Sequence, residues 1–487
     1  MHPLRLVVEL AAVAWALWPI ALLVSVFASR LTYPMDLEWC EGGILYQAKR
    51  LLSGLAIYSR DDPSWAPWPY PPAHTALLAL VGLIDLDFWS GRLISVSWFA
   101  VLCVVLFREI YTHLGKSSFG IAAGLLSVAS IACAYPLVGQ WYDLVRVDTM
   151  MLALCVLGLS RVVKLDPTPR EILITAVVLT AALYTKQTAA LFVAWACAFA
   201  FARNPRAGLS LGFTTFGLSL LLLIALQLGT GGGFWYWTIR VLEQQKVDDG
   251  RLVEGLRQTF RFAPFIALLP FAMALLALRR SLSPRSVLWA GALMIAVPAS
   301  LLPYAKVGGY QNNLIPMVML AGPVLALFVA DLAWKNDELA VFARYGLLAV
   351  LSFFLYKRPL NPEEYLPTAD DRRAAANLNA LVSSLRGGVV VPQLAFLPAH
   401  NGHDNLHWHA MAAWDLEWAG TPMDEFAAME KSGARWVMLH SKDGGPFPHK
   451  VRKRFIRHEV PPNARVRMIT GAAIGLDEYW ERPPKQR

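Results

Sequence analysis

The amino-acid sequence predicts a polytopic α-helical membrane protein with about eleven transmembrane helices and a small α/β domain in its C-terminal part. Three observations favour this fold class. Of the 487 residues, 56% are hydrophobic and only 16% are charged, whereas an average globular chain is about 25% charged. Long apolar runs recur as far as residue 356, and Lys and Arg concentrate in alternate loops between them.

About eleven apolar runs are predicted to cross the bilayer, whose hydrocarbon core about 30 Å thick takes roughly 20 apolar residues per helix. The first run is too long for a signal peptide and lacks a small-residue cleavage site, so we treat it as a retained anchor. The stretch 73–84 is shorter and follows a proline cluster, which favours a re-entrant segment. The predicted spans are 6–27, 93–107, 119–138, 149–163, 172–184, 189–201, 209–228, 262–278, 287–302, 314–329 and 339–356.

The distribution of basic residues predicts that the N-terminus is cytoplasmic. In that orientation the short inner loops carry about 13 basic residues against about six acidic ones, as the positive-inside rule requires. An odd number of spans then places the C-terminal part outside, which is typical of a multi-pass protein of a plasma (inner) membrane with periplasmic outer loops. The inner basic residues are Arg5, Arg108, Lys116, Arg161, Lys164, Arg170, Arg203, Arg206, Arg279, Arg280, Arg285, Lys335 and Arg344.

The chain divides into two predicted domains. Residues 1–356 form the transmembrane domain, which includes a long first outer loop at 30–92. Residues 357–487 form an aqueous extracytoplasmic domain. Its 18 basic and 15 acidic residues nearly balance, so the net charge of +9 gives no electrostatic case for binding nucleic acid.

The predicted C-terminal domain has helix and strand signals of its own. Thr368 is placed to cap a helix, and the run 389–391 is typical of a strand. Thr421 followed by Pro422, with Asp424 in the first turn, predicts a second helix. Together these signals favour a small α/β arrangement.

The five cysteines exclude a disulfide framework and a thiolate metal site. Only Cys40 lies in a polar loop. The other four lie in apolar runs and are Cys103, Cys133, Cys155 and Cys197.

Three carboxylates, Asp36, Glu38 and Glu41, follow the first span within six residues. At an interface of lowered dielectric, mutual repulsion and partial desolvation raise the pKa of at least one of them, which makes a general base or a cation site. Asp36 and Glu38 are the candidates for a divalent cation, Mg²⁺ or Mn²⁺. The alternative is a solvated acidic loop with no chemical role.

The same outer loop continues with a segment rich in tryptophan and proline at 65–74. The prolines hold this chain extended, and its aromatic side chains either lie at headgroup depth or stack on sugar rings. Tyr70 and His74 are therefore candidate substrate-binding residues, with an interfacial aromatic belt as the alternative.

These features together resemble the membrane glycosyltransferases of the C superfamily. The pattern is a span, an acidic outer loop, a short amphipathic helix ending in Gly54-x-x-x-Tyr58, and then Tyr70-Pro-Pro before a helix. The segments 85–92, 142–148 and 184–187 agree with the same pattern in order and placement. The resemblance is to glycosyltransferase family 39 and its relatives, the protein O-mannosyltransferases and the lipid A aminoarabinose transferase, and it implies the GT-C fold.

The acidic motif departs from that of the family, in which an Asp-Glu pair is adjacent. Here Leu37 separates Asp36 from Glu38, and Glu41 follows. Because Gly42 after Glu41 resembles the Glu-Gly of some relatives, the resemblance favours Glu41 as the base, with Asp36 or Glu38 as its partner.

The resemblance implies transfer of a sugar from a polyprenyl-phosphate donor, at the outer leaflet and with inversion, to a lipid, polysaccharide or protein acceptor. Asp143 and Asp148 either join the acids of the first loop or form structural ion pairs. The metal is left open, because some relatives work without one. Candidate ligands of the leaving phosphate are Lys186, Arg146, Arg240, Arg261 and Lys306.

Several alternatives stay open. Lys186 either binds phosphate or extends its amine to the membrane surface, and Arg240 and Arg261 are equally placed to anchor an interfacial helix. The histidine-rich segment 400–409 is a metal site, a substrate contact or an ordinary polar loop. A transporter or lipid flippase is the competing function, although no two halves of the chain correspond as transporter repeats do.

Overall fold

The computed structural model describes residues 3–60, 62, 64–164, 168–278, 282–332, 338–405 and 407–484. Three predicted inner-loop residues, Arg279, Arg280 and Lys335, lie outside these ranges. Helices dominate the chain as far as residue 357. They are α1 (Pro3–Leu31), α2 (Glu41–Leu52), α3 (Ala73–Gly82), α4 (Phe88–His113), α5 (Ser118–Cys133), α6 (Val147–Val162), α7 (Pro169–Leu183), α8 (Ala189–Arg203), α9 (Pro205–Gly229), α10 (Gly233–Trp235), α11 (Val241–Gln244), α12 (Asp249–Phe262), α13 (Leu269–Leu278), α14 (Pro284–Ala305), α15 (Ile315–Leu332) and α16 (Glu338–Lys357).

In the described part of the chain, six helices are long and apolar enough to cross a membrane, and they confirm the polytopic helical class. They are α1, α4, α9, α14, the helix formed by α15 with the turn before it, and α16. The other predicted spans fall on the shorter helices α5 to α8 and α13, so the number eleven stays a prediction. Three of the apolar helices begin at a polar cap: Thr168, Asn204 and Ser283 cap α7, α9 and α14, each followed by proline.

The segment after α16 is mixed α/β and is called the C-terminal segment below (residues 358–484). Its strands form one sheet in the order β1-β2-β4-β3, in which β1 runs parallel to β2 and the other pairs are antiparallel. Its helices are α17 (Ala369–Ser384), α18 (Phe396–His400), α19 (Ala410–Trp418), α20 (Glu425–Lys431) and α21 (Pro446–Arg454), and its strands are β1 (Gly388–Val390), β2 (Ala434–Leu439), β3 (Ile456–Glu459) and β4 (Glu478–Glu481).

Two helix starts of the C-terminal segment test the capping signals. Thr368 caps α17 in a capping box with Asp371, as predicted. The second helix was expected to begin at Thr421 and Pro422, which is wrong, because Asp424 is its N-cap and accepts from the backbone of the next turn. Asp424, which the prediction placed in the first turn of the helix, is therefore its N-cap residue.

The C-terminal segment returns to the loop that follows α1. The backbone amides of Ile469 and Thr470 both donate to the carbonyl of Leu37 at 3.0 Å. The Thr470 hydroxyl donates to the carbonyl of Gly139 at 2.7 Å. Gly471 follows with φ of +81°, and a Cβ at this position would lie 2.6 Å from Cγ of Glu38. The turn 469–472 therefore packs directly on the acidic loop.

Candidate active site

Glu41 begins α2 and is fully engaged in a buried ion pair. Its two oxygens accept from Nε and Nη2 of Arg92 at 2.8 and 2.7 Å, and neither side chain is exposed. They also accept from the backbone amides of Leu37 and Val145 at 2.9 and 3.1 Å. Four donors occupy this carboxylate, so it is bound as a structural anion that joins the acidic loop to α4 and to the loop before α6.

Asp36 and Glu38 are buried, and neither forms an ion pair with any residue in the described ranges. Oδ1 of Asp36 accepts from the amide of Gly42 at 2.5 Å, and burial raises the pKa of Asp36 well above its usual range. One oxygen of Glu38 accepts from the amide of Cys40 at 2.9 Å. Burial raises the pKa of Glu38 to about 7, although nearby Arg146 opposes this shift. The expectation that one acid of this loop would have a raised pKa is confirmed.

A cavity of about 690 Å³ opens beside Glu38. Of the three acids of the first loop, Glu38 alone lines it, while Asp36 and Glu41 lie behind the wall. Arg146 and Lys186 also line the cavity, and Lys306 and Tyr70 complete the set of predicted residues that reach it. Glu38 of the acidic loop and Lys186 are far apart in sequence, and they line the same cavity.

Arg146 precedes α6 and is 3% exposed. Its Nη2 donates to the hydroxyl of Tyr70 at 3.2 Å, and its guanidinium lies 4.8 Å from the ring centre of Trp68 and 4.9 Å from that of Trp141. Within the described ranges, Nε and Nη1 of Arg146 are buried without a hydrogen-bond partner. A buried cation with two unused donors is costly, which indicates a site built for an oxygen-rich anion.

Lys186 follows α7 and has two buried partners. Its Nζ lies 2.6 Å from Oδ1 of Asp148 and 3.0 Å from Oδ1 of Asn313. The second oxygen of Asp148 accepts from the side-chain amide Nδ2 of Asn312 at 3.1 Å. The amine at the edge of the cavity is therefore held in place by α6 and by the turn before α15.

The remaining predicted residues lie outside the cavity lining. Asp143 forms a buried ion pair with Arg30 at 2.7 Å, which is the structural alternative given for it above. His74 is buried, and among the described residues its ring nitrogens have no partner. Arg240 is exposed and pairs with Glu243 on its own helix, and the exposed Arg261 offers its backbone carbonyl to Arg358.

In the part of the chain that the structure describes, no group of three His, Cys, Asp or Glu side chains is arranged to hold a metal ion. Glu38 presents the one carboxylate of its loop to the cavity and faces the cation Arg146. This donor set does not fit Mg²⁺ or Mn²⁺, which take several oxygen ligands. No catalytic step is therefore assigned to a metal.

The histidines of 400–409 connect the C-terminal segment to the first outer loop. The Tyr46 hydroxyl lies 3.2 Å from Nδ1 of His407, and His409 Nε2 lies 3.0 Å from the carbonyl of Trp39. His407 and His409 are both buried, and burial lowers the pKa of each, to about 4 and about 3. Both rings are therefore neutral at pH 7, and their hydrogen bonds connect the C-terminal segment to Tyr46 and Trp39.

Sequence reasoning did not find Asp415, which lines the same cavity from α19. It is 5% exposed, its Oδ1 accepts from Nε2 of Gln245 at 2.7 Å, and burial raises its pKa to about 7. The tryptophans Trp414 and Trp418 line the cavity beside it. The density of tryptophan in 408–418 was a visible signal, but nothing in the sequence placed it near Glu38.

No family model matches the chain, and no curated protein matches it in sequence. Among solved structures, ArnT from Cupriavidus metallidurans bound to undecaprenyl phosphate matches with a TM-score of 0.60 at 12% identity, over 97% of this chain and 99% of ArnT. The chain has the fold of ArnT. Apo ArnT gives the same TM-score and identity over 98% of this chain and 100% of ArnT.

ArnT is the lipid A aminoarabinose transferase and has the GT-C fold, so the predicted resemblance is confirmed at the level of the fold. An oligosaccharyltransferase from Archaeoglobus fulgidus also matches, with a TM-score of 0.40 and 12% identity over 86% of this chain and 69% of its own.

Proposed function

We propose that the protein is an integral membrane glycosyltransferase that transfers a sugar from a polyprenyl-phosphate donor to an acceptor hydroxyl, with inversion. The observation that carries this proposal is the shared cavity, in which a carboxylic acid with a pKa of about 7 faces a buried guanidinium with two unused donors. The fold shared with ArnT, which was crystallised with undecaprenyl phosphate, supports it. The cavity would open on the extracytoplasmic side.

Glu38 is the proposed base, in place of Glu41. The carboxylate takes the proton of the acceptor hydroxyl as that oxygen attacks the anomeric carbon from the face opposite the phosphate. The bond between the anomeric carbon and the phosphate oxygen breaks, and the electron pair leaves on the lipid phosphate, so the anomeric centre inverts. A base with a pKa near the working pH accelerates such a transfer by about 10²- to 10⁴-fold.

Arg146 is the proposed ligand of the leaving phosphate. A guanidinium is a strong donor to phosphate oxygens, and among the described residues Nε and Nη1 of Arg146 have no hydrogen-bond partner. Lys186 adds a second positive charge, although Asp148 already balances it. The cation that stabilises the developing charge is therefore chiefly Arg146, with Lys186 in support.

The cavity also has an apolar side that suits the lipid of the donor. The apolar lining residues outside the C-terminal segment include Leu302 and Pro303 of α14, Val307 of the loop after it, and Ile239 and Leu242 at and just before α11. A prenyl chain removes this surface from water at about 25 cal/mol per Å². The polar and apolar sides together match an amphiphile with a charged head.

Transfer assays with purified protein in lipid nanodiscs test the proposal. The protein is incubated with radiolabelled undecaprenyl-phosphate sugars and a membrane extract as the source of acceptor. We expect transfer from one donor, and a loss of at least about 10²-fold in Glu38→Gln. Glu254→Gln, at a half-buried position of α12 outside the cavity lining, is the matched control and should keep full activity.

Binding of undecaprenyl phosphate tests the phosphate site separately. Arg146→Ala should weaken binding by roughly 10- to 100-fold, which corresponds to about 1.4 to 2.8 kcal/mol, while the exposed Arg257→Ala should not. If transfer survives in Glu38→Gln and is lost in a folded Glu41→Gln protein, Glu41 is the base as the resemblance first implied. Movement of polyprenyl lipids across liposomes without transfer of any sugar would favour the flippase instead.

A further inference from the structure

The C-terminal segment supplies one wall of the cavity that the proposed reaction leaves without a role. Four side chains of α19 line it: Met411, Trp414, Asp415 and Trp418. Positions 414 and 418 are one helical turn apart, so both indoles lie on the same face of the helix, and Asp415 adjoins them. Gly308 of the loop after α14 packs against Trp418, since a Cβ there would lie 2.3 Å from the indole.

Ring contacts join this wall to the phosphate site. The centre of Trp39 lies 5.2 Å from that of Trp414 and 5.3 Å from that of His409, which in turn lies 5.1 Å from Trp68. The guanidinium of Arg146 lies 4.8 Å from the ring centre of Trp68. We call this row of rings the aromatic strip; its members are Trp68, His409, Trp39, Trp414 and Trp418.

Trp414 stands out in the strip by its exposure. Its side chain is 37% exposed, whereas Trp39 and Trp68 are 6% and 4% exposed. Because Trp414 lines the cavity and is partly exposed, its indole is accessible to a flat, partly apolar ligand.

Polar groups border the open indole. Asp415 accepts from Gln245 at 2.7 Å, and Lys306, which also lines the cavity, donates to the carbonyl of Leu242 at 2.5 Å. A hydrocarbon chain would offer the carboxyl, the amide and the amine no further hydrogen bond and would exclude water from them, which is unfavourable. A ligand that carries hydroxyl groups therefore suits this wall better than a prenyl chain does.

We propose that Trp414, Asp415 and Trp418 form a saccharide subsite, in which an indole stacks on the C–H face of a sugar ring and Asp415 hydrogen-bonds its hydroxyl groups. This inference rests on the proposed function for the identity of the ligand and extends it by assigning sugar recognition to the C-terminal segment. A carboxyl group that is protonated in part at pH 7 both donates and accepts, which suits hydroxyl partners. The bound sugar comes either from the donor lipid or from the acceptor.

Binding in nanodiscs distinguishes the two sources. The probes are undecaprenyl phosphate without sugar, undecaprenyl-phosphate glucose, mannose and galactose, and the methyl glycosides of these sugars added with saturating undecaprenyl phosphate. The variants are Trp414→Ala, Trp414→Tyr and Asp415→Asn. Trp235→Ala, which removes an indole of similar exposure (41%) outside the cavity, and Glu417→Gln, on the same helix, are the controls.

A donor sugar predicts that the affinity for the preferred sugar-bearing lipid falls about 10-fold in Trp414→Ala and Asp415→Asn, less in Trp414→Tyr, and not in the controls. The affinity for undecaprenyl phosphate should stay unchanged in all of them. An acceptor sugar predicts instead that binding of a methyl glycoside is lost in the same two variants.

Equal loss of all lipids, including undecaprenyl phosphate, would show that the wall holds the lipid and would overturn the subsite. The subsite is also wrong if the folded variants bind every probe as the wild type does. Failure of the proposed function is a different result: the wild type would not bind undecaprenyl phosphate, and saccharide binding that persisted would still support the subsite. Absence of both kinds of binding would overturn both proposals.

Discussion

Replacing Glu38 by Gln should raise stability while it removes activity. In the folded protein, burial raises the pKa of Glu38 from its ordinary 4.5 to about 7. Folding therefore favours the protonated form, so this carboxyl lowers the free energy of unfolding as the pH rises from about 4.5 to 7. The rise in pKa corresponds to about 3 kcal/mol, a cost that is almost fully present at pH 8 and falls to roughly a quarter of that at pH 5.

Thermal unfolding of the detergent-solubilised protein at pH 5 and pH 8 measures this cost. Glu38→Gln carries no charge, so it should be more stable than the wild type by about 3 kcal/mol at pH 8, or on the order of 3 °C in Tm, and close to it at pH 5. Glu41→Gln should behave in the opposite way, because it leaves Arg92 buried without its partner at a cost of roughly 3 to 5 kcal/mol. A loss of stability in Glu38→Gln at pH 8, or a difference that does not change with pH, would refute the reasoning.

Three further outcomes follow from the site. The kcat/KM of transfer should rise with pH and level off above about 7, because Glu38 must lose its proton to act; a flat profile from pH 5 to 8 would contradict this. Gly471→Ala should reduce transfer and Tm more than Gly402→Ala, because both have φ of +81° but an added methyl meets Glu38 in the first and open space in the second; equal effects measured side by side would point to backbone strain alone. Lys186→Met should lower Tm by leaving Asp148 unpaired, and adding Asp148→Asn should restore much of it without restoring undecaprenyl-phosphate affinity; full recovery of affinity would return Lys186 to a structural role.

The sequence contained enough to predict the helical membrane class and the positions of most helices, because apolar runs and polar caps are local signals. It also placed Lys186 and the acidic loop at one site, through the order of short motifs. It could not choose among the acids. Glu38 and Glu41 differ because Arg92 and the amide of Val145 reach one of them and not the other, and those contacts depend on tertiary packing.

Asp415 was beyond reach for the same reason. It is an ordinary residue of a short helix, and its burial against Gln245 follows only once the C-terminal segment folds back over the membrane part. The histidines of 400–409, for which a metal site was one of three alternatives, have separate partners in space: His403 and His409 lie beside backbone carbonyls, and His407 lies beside the Tyr46 hydroxyl.

The pKa of Glu38 depends on both parts of the chain, because the turn at 469–472 of the C-terminal segment packs on this residue. Gly471 lies so close to Glu38 that a side chain at this position would collide with it, so glycine allows the turn to cover the carboxyl and shield it from water. Gly471 belongs to the C-terminal segment. A chimera that joins a different C-terminal region to these helices would thus keep Glu38, but the pKa of its carboxyl would change. The two parts of the chain are therefore not independently exchangeable, and a change meant to alter the acid strength of Glu38 has to include its contact with Gly471.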